Sequence, residues 1–313
     1  MKIFRGLDHA GTIPFPVVTT GSFDGVHAGH TAIINRINKL AHDGRGESVL
    51  ITFTPHPRKV LYPETAGKDL FLISTRREKI ELLEQAGLDN LVEIEFTHDF
   101  AKTSSIDFIR HVLVNKIHAH KIVIGFNHHF GHNREGDFEF LKELGRYYGF
   151  STEEIPEQDI QNETVSSTLI RKALQEGRIQ RANAYLDYHY MMIGKITQGT
   201  EYSKNIEIPP MNILIEEECK LIPPNGVYAA RLSNNRNSIK VILMISGNRY
   251  DDLRDMRKVQ LEIFSIEPSK AFIGKDAKVS FVKQIRNEMV FNSPDELKEQ
   301  FLVDRQAVEE LIF

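Results

Sequence analysis

The stretch Thr20-Gly-Ser-Phe-Asp-Gly-Val-His-Ala-Gly-His30 decides the fold of this chain. The run before it, residues 15–20, is short, apolar and β-branched, which is typical of a strand. Behind it, the apolar side chains of residues 32–40 recur at the spacing of a helix face. The sequence therefore predicts a strand, a tight glycine turn and a helix. In a parallel α/β sheet this junction lies at the carboxyl edge, where ligands bind.

The predicted turn carries the features of an anion site. A helix start offers backbone N–H groups and the positive end of the helix dipole, which both suit phosphate. Gly21, Gly25 and Gly29 let a ligand approach the backbone, and His27 and His30 add two donors. A glycine turn alone indicates only a turn, and two histidines three apart also fit a surface pair or two metal ligands. Taken together, the features favour a phosphate site.

Composition limits the class of protein. The 313 residues suffice for about two domains, and 41% hydrophobic with 26% charged residues is typical of a soluble globular protein. The net charge of −4 gives no basic surface, so we expect no nucleic-acid partner. The single Cys219 excludes an internal disulfide and, with no signal peptide evident, predicts a cytoplasmic protein. The apolar run 241–245 is far too short for a membrane span, so we expect no membrane partner.

Strands alternate with helices through the first half of the chain. A capping box, Thr75-Arg-Arg-Glu78, opens one of the helices. This alternation predicts right-handed crossovers and a mostly parallel sheet. The other predicted strands and helices cover residues 48–53, 90–96, 105–116, 121–125, 137–148 and 151–155.

Two polar loops follow predicted strands. In Thr54-Pro-His-Pro57 the two prolines predict extended geometry, and His56 is either an ordinary loop residue or part of a site. The loop at 126–136 contains His128, His129 and His132, which favour a polar loop over a set of metal ligands. Loops at the carboxyl edge of a sheet are nevertheless where a site is expected.

A further helix is predicted to begin at Ser166 or Ser167. Either hydroxyl suits the N-cap position, and this is the simpler interpretation. Arg171 lies one turn inside the same helix, so the helix start and the guanidinium together could also bind an anion.

Four motifs, in this order, resemble those of the bacterial FAD synthetases, whose first module is similar to the HxGH nucleotidylyltransferases. His128 stands where an aromatic residue is common in that family, and Val165 stands where isoleucine is common. The motifs are Gly-x-Phe-Asp-Gly-x-His-x-Gly-His at 21–30, Thr-Phe-x-Pro-His-Pro at 52–57, Gly-x-Asn-x-x-Phe-Gly-x-x-Arg-x-Gly at 125–136 and Ser-Ser-Thr-x-Ile-Arg at 166–171.

The resemblance implies a Rossmann-like α/β domain, residues 1–186, that transfers AMP from ATP to FMN and releases pyrophosphate. It implies that the catalytic residues are His27, His30 and Arg171. Mg²⁺ is expected with ATP, held mostly by phosphates and water rather than by protein ligands. The residues that the resemblance assigns to ATP are Gly21, Ser22, Phe23, Asp24, Gly29, Ser166, Ser167 and Thr168. Those that it assigns to the flavin are Pro55, His56 and Asn127.

From Tyr190 onward the sequence changes character. Short strands alternate with turn residues, and the capping box Ser293-Pro-Asp-Glu296 opens a last helix. This predicts an antiparallel barrel with a C-terminal helix, residues 187–313, and it resembles the riboflavin kinase domain of FAD synthetases through residues 224–228 and 285–291. The predicted strands cover residues 191–196, 226–232, 239–245, 259–264 and 277–281. The apolar positions of the last helix include Leu297, Phe301, Leu302 and Val308.

The kinase motifs of this second domain match the family poorly. In the stretch 202–212, which corresponds to the kinase ATP loop, Asn212 is retained but Pro210 replaces a threonine. The alignment places Gln260 at the catalytic glutamate, and an amide cannot accept the substrate proton. Glu262 lies two positions along the same strand face, where a two-residue shift would restore a carboxylate. We therefore expect weak or absent kinase activity.

Three other functions remain open at this stage. The chain could keep both activities, as a riboflavin kinase and FMN adenylyltransferase. It could be a regulator that binds flavin or nucleotide without catalysis. It could also transfer AMP to another phosphorylated acceptor, such as a pantetheine or nicotinamide mononucleotide.

Overall fold

In the computed structural model, six strands of the first half form one parallel sheet. Their order is β1-β4-β3-β2-β5-β6, and each neighbouring pair runs parallel. The buried, mainly β-branched residues of the central strands suit a sheet that is covered on both faces. The predicted parallel α/β sheet is thereby confirmed. The strands are β1 (Lys2–Arg5), β2 (Val17–Thr20), β3 (Ser48–Thr54), β4 (Asn90–Glu95), β5 (Lys121–Gly125) and β6 (Ser151–Ile155).

The structure describes residues 1–8, 10–126, 129–156, 159–160, 163–199, 210–247, 260–266 and 271–312. Asn127, Val259 and most of the stretch 202–212 lie outside these ranges. Among the described residues, no helix is both long enough and apolar enough to cross a membrane.

Helices connect the strands of the parallel sheet. The helix α5 shows why they form where predicted: Asp137 accepts a hydrogen bond from Phe140 N at 2.9 Å, and Gly149 ends the helix at a φ of 85°. The predicted helix at 105–116 consists of a short α-helical turn that continues as a π-helix, Phe108–Val114. The α-helices of this half are α1 (Ala28–Asp43), α2 (Pro57–Leu61), α3 (Arg76–Gln85), α4 (Ser105–Asp107) and α5 (Phe138–Tyr148).

The second half begins after a two-residue ladder, β7 (Asp159–Ile160) with β8 (Glu163–Thr164). Helices α6 (Ser167–Gln175) and α7 (Ile179–Leu186) follow. Six antiparallel strands then close into a barrel in the order β10-β13-β12-β11-β14-β9, which confirms the predicted barrel. The strands are β9 (Met191–Gln198), β10 (Met211–Leu214), β11 (Gly226–Ser233), β12 (Ser238–Ser246), β13 (Gln260–Ser265) and β14 (Asp276–Asn287).

The last helix, α8 (Pro294–Leu311), begins at the predicted capping residue, because the Ser293 side chain accepts a hydrogen bond from Glu296 N. Phe301 and Val308 are buried, as predicted. Leu302, in contrast, is 63% exposed. It follows Phe301 directly and therefore points about 100° away around the helix.

The chain forms two compact units. The first contains Met1–Leu70 and Lys79–Ser166, and the second contains Phe71–Glu78 and Ser167–Phe313. Helices α6 and α7 and an early segment of the chain therefore belong to the same compact unit as the barrel. We call Phe71–Glu78 the anchor segment. Its backbone forms two hydrogen bonds with the rest of the second unit, from Leu72 N to Cys219 O at 2.7 Å and from Leu221 N to Leu72 O at 2.8 Å.

Candidate active site

The turn between β2 and α1 has an unusual backbone. Gly21 N continues the sheet by donating to Ile51 O at 3.0 Å. Phe23, Gly25 and Val26 then adopt positive φ angles of 46°, 83° and 37°. A β-branched residue with positive φ is a strained conformation, and strain of this kind concentrates at functional sites. The predicted glycine turn is present, and its strain marks it as a candidate site.

The start of α1 suits an anion. His27 occupies the N-cap position, with φ −71° and ψ 174°, but its side chain makes no capping hydrogen bond. The N–H groups of the first turn therefore receive no cap from His27, and they point along the positive end of the helix dipole. Gly29 keeps this turn open, because a Cβ there would lie 3.3 Å from the His27 ring.

Three aromatic rings stack beside this helix start. The His27 and His30 ring centroids are 3.7 Å apart with an interplanar angle of 20°. Phe23 stacks on the other face of His30 at 4.3 Å and 23°. Helical spacing brings the two imidazoles together, and the strained turn brings Phe23 over them. The structure therefore brings the two predicted catalytic histidines into one ordered stack.

The electrostatics of the stack favour a neutral His30. Burial, followed by the neighbouring His27 and Lys79, lowers the pKa of His30 well below its ordinary value of 6.5. Its Nδ1 atom is buried and has no hydrogen-bond partner within the part of the chain that the structure describes. A neutral imidazole at neutral pH retains one N–H donor for an oxygen of a ligand.

Lys79 is a site residue that the sequence analysis missed. Its Nζ atom donates to the carbonyl oxygen of Ser22 at 2.8 Å, inside the turn. A signal for it existed, because Arg76, Arg77 and Lys79 place three cations in the first turn of α3. The N-terminal end of a helix dipole is positive and disfavours cations, so a lysine at this position indicates a role other than helix stability.

The loop after β3 differs from its prediction. Pro57 does not extend the loop but begins α2, a position that proline favours. His56 is the N-cap, and its Nδ1 accepts a hydrogen bond from Arg58 N at 3.2 Å. Pro55 and His56 therefore form the whole connection at the carboxyl end of β3. Asn127, the third predicted flavin residue, lies outside the described residues.

Five phenylalanine rings form a chain near the carboxyl ends of β3 and β4. The ring centroids lie 5.6 Å apart for Phe53 and Phe96, and 5.7 Å for Phe96 and Phe100. Phe108 and Phe130 continue the chain at 6.3 and 6.4 Å. All but Phe108 are half-buried, so this cluster presents aromatic surface. We call these five residues the phenylalanine cluster.

The predicted loop motif at 125–136 supports this cluster. Phe130 and Gly136 exchange two backbone hydrogen bonds of 3.0 Å, and a Cβ on Gly136 would lie 2.6 Å from the Phe130 ring. Gly131 similarly allows close approach to Ser105. Of the three predicted histidines, His128 lies outside the described residues. Among the described residues, no group of three metal-ligating side chains is found.

The remaining predicted ATP residues lie at the start of α6. Ser166 is the last residue of the first unit, and Ser167, Thr168 and Arg171 belong to the second. Within the second unit, Arg171 Nε donates to the carbonyl oxygen of Phe71 at 3.0 Å. The anchor segment therefore holds the predicted catalytic arginine.

In the barrel, the structure pairs Asn212 with Glu262. The two residues lie directly opposite each other on β10 and β13, so their side chains project from the same face. Glu262 is buried, and Asn212 Oδ1 is buried with no hydrogen-bond partner among the residues that the structure describes. Gln260 pairs with Ser246 instead. Glu262 therefore lies opposite Asn212 in the register of the two strands.

The fold and the site define a two-part protein, with a nucleotidylyltransferase sheet followed by a flavokinase barrel. The family model for FAD synthetase matches residues 14–169, and the model for riboflavin kinase matches residues 186–312. A bifunctional riboflavin kinase/FMN adenylyltransferase from Buchnera aphidicola is 31% identical, over 97% of this chain and 96% of its own. The chain therefore belongs to the FAD synthetase family, which confirms the resemblance.

Two further comparisons concern the family and the fold, respectively. The bifunctional riboflavin kinase/FMN adenylyltransferase of Escherichia coli K12 is 29% identical, over 99% of this chain and 97% of its own. A crystal structure described as a macrolide-efflux protein from Streptococcus pneumoniae matches with a TM-score of 0.86. It covers 99% of both chains at 23% identity, and it shows the fold.

Proposed function

We propose that this chain transfers AMP from ATP to FMN, giving FAD and pyrophosphate. The observation that carries the proposal is the Phe23–His30–His27 stack at the start of α1. It lies within the part of the chain that matches the FAD synthetase model. The relatives named above are FMN adenylyltransferases as well, which supports the same acceptor.

In the proposed reaction, an oxygen of the FMN phosphate attacks the α-phosphorus of ATP. One P–O bond forms and the bond to pyrophosphate breaks, so no protein nucleophile is required. His27 and His30 donate to phosphate oxygens as their charge grows, and the start of α1 adds fixed dipoles. By resemblance, Ser167 and Arg171 bind the phosphates of ATP, and Arg171 neutralises the pyrophosphate that leaves.

Mg²⁺ would supply positive charge to the polyphosphate. It prefers oxygen ligands and keeps several waters, so phosphates can provide most of its coordination. We propose that the ion enters bound to ATP.

For the flavin, we propose the region around Pro55, His56 and Asn127, with the phenylalanine cluster beside it. The isoalloxazine ring is flat and largely apolar, and half-buried aromatic rings bind such a surface by stacking. Phe53 is the last residue but one of β3 and lies two positions before Pro55, so the sequence itself places aromatic surface beside the predicted flavin residues.

A second activity, phosphorylation of riboflavin, is favoured by the pairing of Asn212 with Glu262. The carboxylate of Glu262 would accept the proton of the riboflavin hydroxyl as that oxygen attacks the γ-phosphorus of ATP. The bond from the γ-phosphorus to the bridging oxygen breaks, and ADP leaves. Pro210 is buried and offers no hydroxyl where the family has threonine. We therefore propose a kinase that keeps its base but lacks one ligand of its nucleotide loop.

The test is a pair of incubations of the full chain with ATP and Mg²⁺, analysed by HPLC. FMN as the flavin should give FAD and pyrophosphate in equal amounts. Riboflavin as the flavin should give FMN and then FAD. Binding of FMN without FAD formation would contradict the first proposal and favour a regulator. Transfer of AMP to a phosphopantetheine or to nicotinamide mononucleotide, but not to FMN, would instead contradict the choice of acceptor.

A further inference from the structure

The ammonium group of Lys79 reaches into the turn that carries the candidate active site. Its Nζ atom lies 2.8 Å from the carbonyl oxygen of Ser22, and Thr52 Oγ1 lies 3.3 Å from the same oxygen. The next residue along the chain is Phe23, whose positive φ places its ring on His30. The carbonyl that Lys79 contacts is therefore one peptide unit away from the ring stack.

We propose that Lys79 is a positioning residue for adenylyl transfer, which fixes the Ser22 carbonyl and, through it, the Phe23–His30–His27 stack. The proposal rests on the function proposed above. Phe23 has no α-helical or β-sheet ladder to hold its backbone, because it lies between β2 and α1. A charged donor on the preceding carbonyl is a strong restraint on that peptide plane.

The charge of Lys79 has a second effect on the same stack. Burial and the neighbouring His27 disfavour a proton on His30, and the ammonium of Lys79 acts in the same direction. His27 acts from the N-cap of the helix that carries His30, and Lys79 acts from α3. Lys79 thus adds to the effect of burial and of His27 in lowering the pKa of His30, while it holds the turn.

Three variants of the full chain test this role. Lys79→Met keeps the length of the side chain and removes the charged hydrogen bond, whereas Lys79→Arg retains a cationic donor. Lys39→Met is the matched control, because Lys39 is exposed on α1, the helix that carries His30. Loss of a hydrogen bond to a charged group predicts a fall in kcat/KM for FAD formation of about ten- to a hundred-fold in Lys79→Met.

The pH profile separates this role from a purely structural one. In Lys79→Met the acid limb of kcat/KM should move to higher pH, because the pKa of His30 rises when the cation is removed. Lys79→Arg should keep the limb and most of the rate, and Lys39→Met should match the parent chain. An unchanged limb and rate in Lys79→Met, or equal losses in the Met and Arg variants, would overturn the proposal.

A spectroscopic readout makes the test independent of catalysis. The ring protons of His30 lie between two aromatic faces, so ring currents should shift their NMR signals upfield in the parent chain. That shift should shrink in Lys79→Met and persist in Lys79→Arg and Lys39→Met, with His30→Gln used to assign the signals. If the parent chain makes no FAD but the shift behaves as stated, the proposed reaction fails and the positioning role stands. An unaltered shift in folded Lys79→Met contradicts the positioning role.

Discussion

Glu78 and Lys220 form a buried ion pair across 142 positions of the sequence, with 2.5 Å between Oε2 and Nζ. Each side chain is only 1% exposed. Lys220 Nζ also donates to the carbonyls of Ile73 and Met191, at 2.7 and 2.8 Å. Glu78 Oε1 accepts from Ile193 N at 2.8 Å. The pair therefore fixes the anchor segment within the second unit.

Replacing Lys220 by methionine should strongly destabilise the protein. It leaves the Glu78 carboxylate buried without its cation, which typically costs about 3–5 kcal/mol. The double variant Glu78→Gln with Lys220→Met should recover part of this loss, because it removes the uncompensated charge. Urea unfolding of the full chain measures each free energy.

The control for this prediction is Arg77→Met in the same segment. Arg77 pairs with Asp276 at 2.8 Å, but both side chains are more than half exposed. Such a pair is worth about 0–1 kcal/mol, so the variant should unfold close to the parent. Equal losses in Arg77→Met and Lys220→Met would show that burial does not set the strength of these pairs.

Replacing His30 by alanine should lower kcat for FAD formation by about 10²–10³-fold, the usual effect of losing one preorganised donor. The KM for FMN should change little, because the imidazole is proposed to act on ATP phosphates. His42→Ala is the control, since His42 lies in the last turn of the same helix and is exposed. Turnover of His30→Ala equal to that of His42→Ala would remove His30 from the mechanism.

Replacing Phe100 by alanine should weaken FMN binding by about ten-fold, since it removes the middle ring of the phenylalanine cluster. The KM for ATP should stay unchanged. Tyr147→Ala provides the comparison, because that ring is 80% exposed and lies outside the cluster. Fluorescence quenching of FMN measures the dissociation constant, and an unaltered value in Phe100→Ala would place the flavin elsewhere.

Replacing Glu262 by glutamine should lower phosphorylation of riboflavin by about 10²–10⁴-fold, as expected for loss of a general base. FAD formation from added FMN should persist. Gln260→Ala, two positions earlier on the same strand, should keep the kinase rate. If Gln260→Ala lost the kinase rate and Glu262→Gln kept it, the alignment that places Gln260 at the catalytic glutamate would be supported. The assignment of Glu262 from the register of β10 and β13 would then be contradicted.

Replacing Glu153 by glutamine should reduce stability at neutral pH and matter less in acid. Arg36 donates to both carboxylate oxygens, at 2.5 and 3.0 Å, and this holds the pKa of Glu153 below its ordinary 4.5. A carboxylate with a lowered pKa stabilises the folded state above the unfolded pKa, and the contribution disappears as pH falls through the folded pKa. The urea midpoints of the parent chain and of Glu153→Gln should therefore differ at neutral pH and converge at about pH 3.

Glu154→Gln is the natural control for that experiment. Glu154 is the next residue of β6, and its side chain projects from the other face of the sheet. Its midpoint should follow that of the parent chain at both pH values. A pH-independent loss in Glu153→Gln would show that packing, rather than the ion pair, explains the effect.

Local patterns in the sequence predicted most elements of the fold. Asp137 and Gly149 delimit α5 because capping depends on a few neighbouring atoms. The turn at 20–30 could be predicted in the same way, because its glycines and histidines are close neighbours in the sequence. Pro57 was misjudged because proline suits both an extended loop and a first helical turn.

Contacts between distant residues could not be predicted in the same way. Lysine is a residue type that usually lies at the protein surface, and only the tertiary fold surrounds Lys220 with hydrogen-bond acceptors. The role proposed for Glu262 depends on β10, a four-residue strand that the sequence did not predict. Its register against β13 decides which side chain faces Asn212, and no pattern within β13 alone contains that information.

The anchor segment has a consequence for the synthesis of the protein. Ribosomes add about 5–20 residues per second, so the 142 positions from Glu78 to Lys220 take about 7–28 seconds to translate. Throughout that interval the nascent chain carries a carboxylate whose cation has not been made. Barrel closure waits longer still, because β9 pairs with β14. A chain that stops early therefore exposes unsatisfied strand edges, which makes incomplete translation products targets for chaperones and proteases.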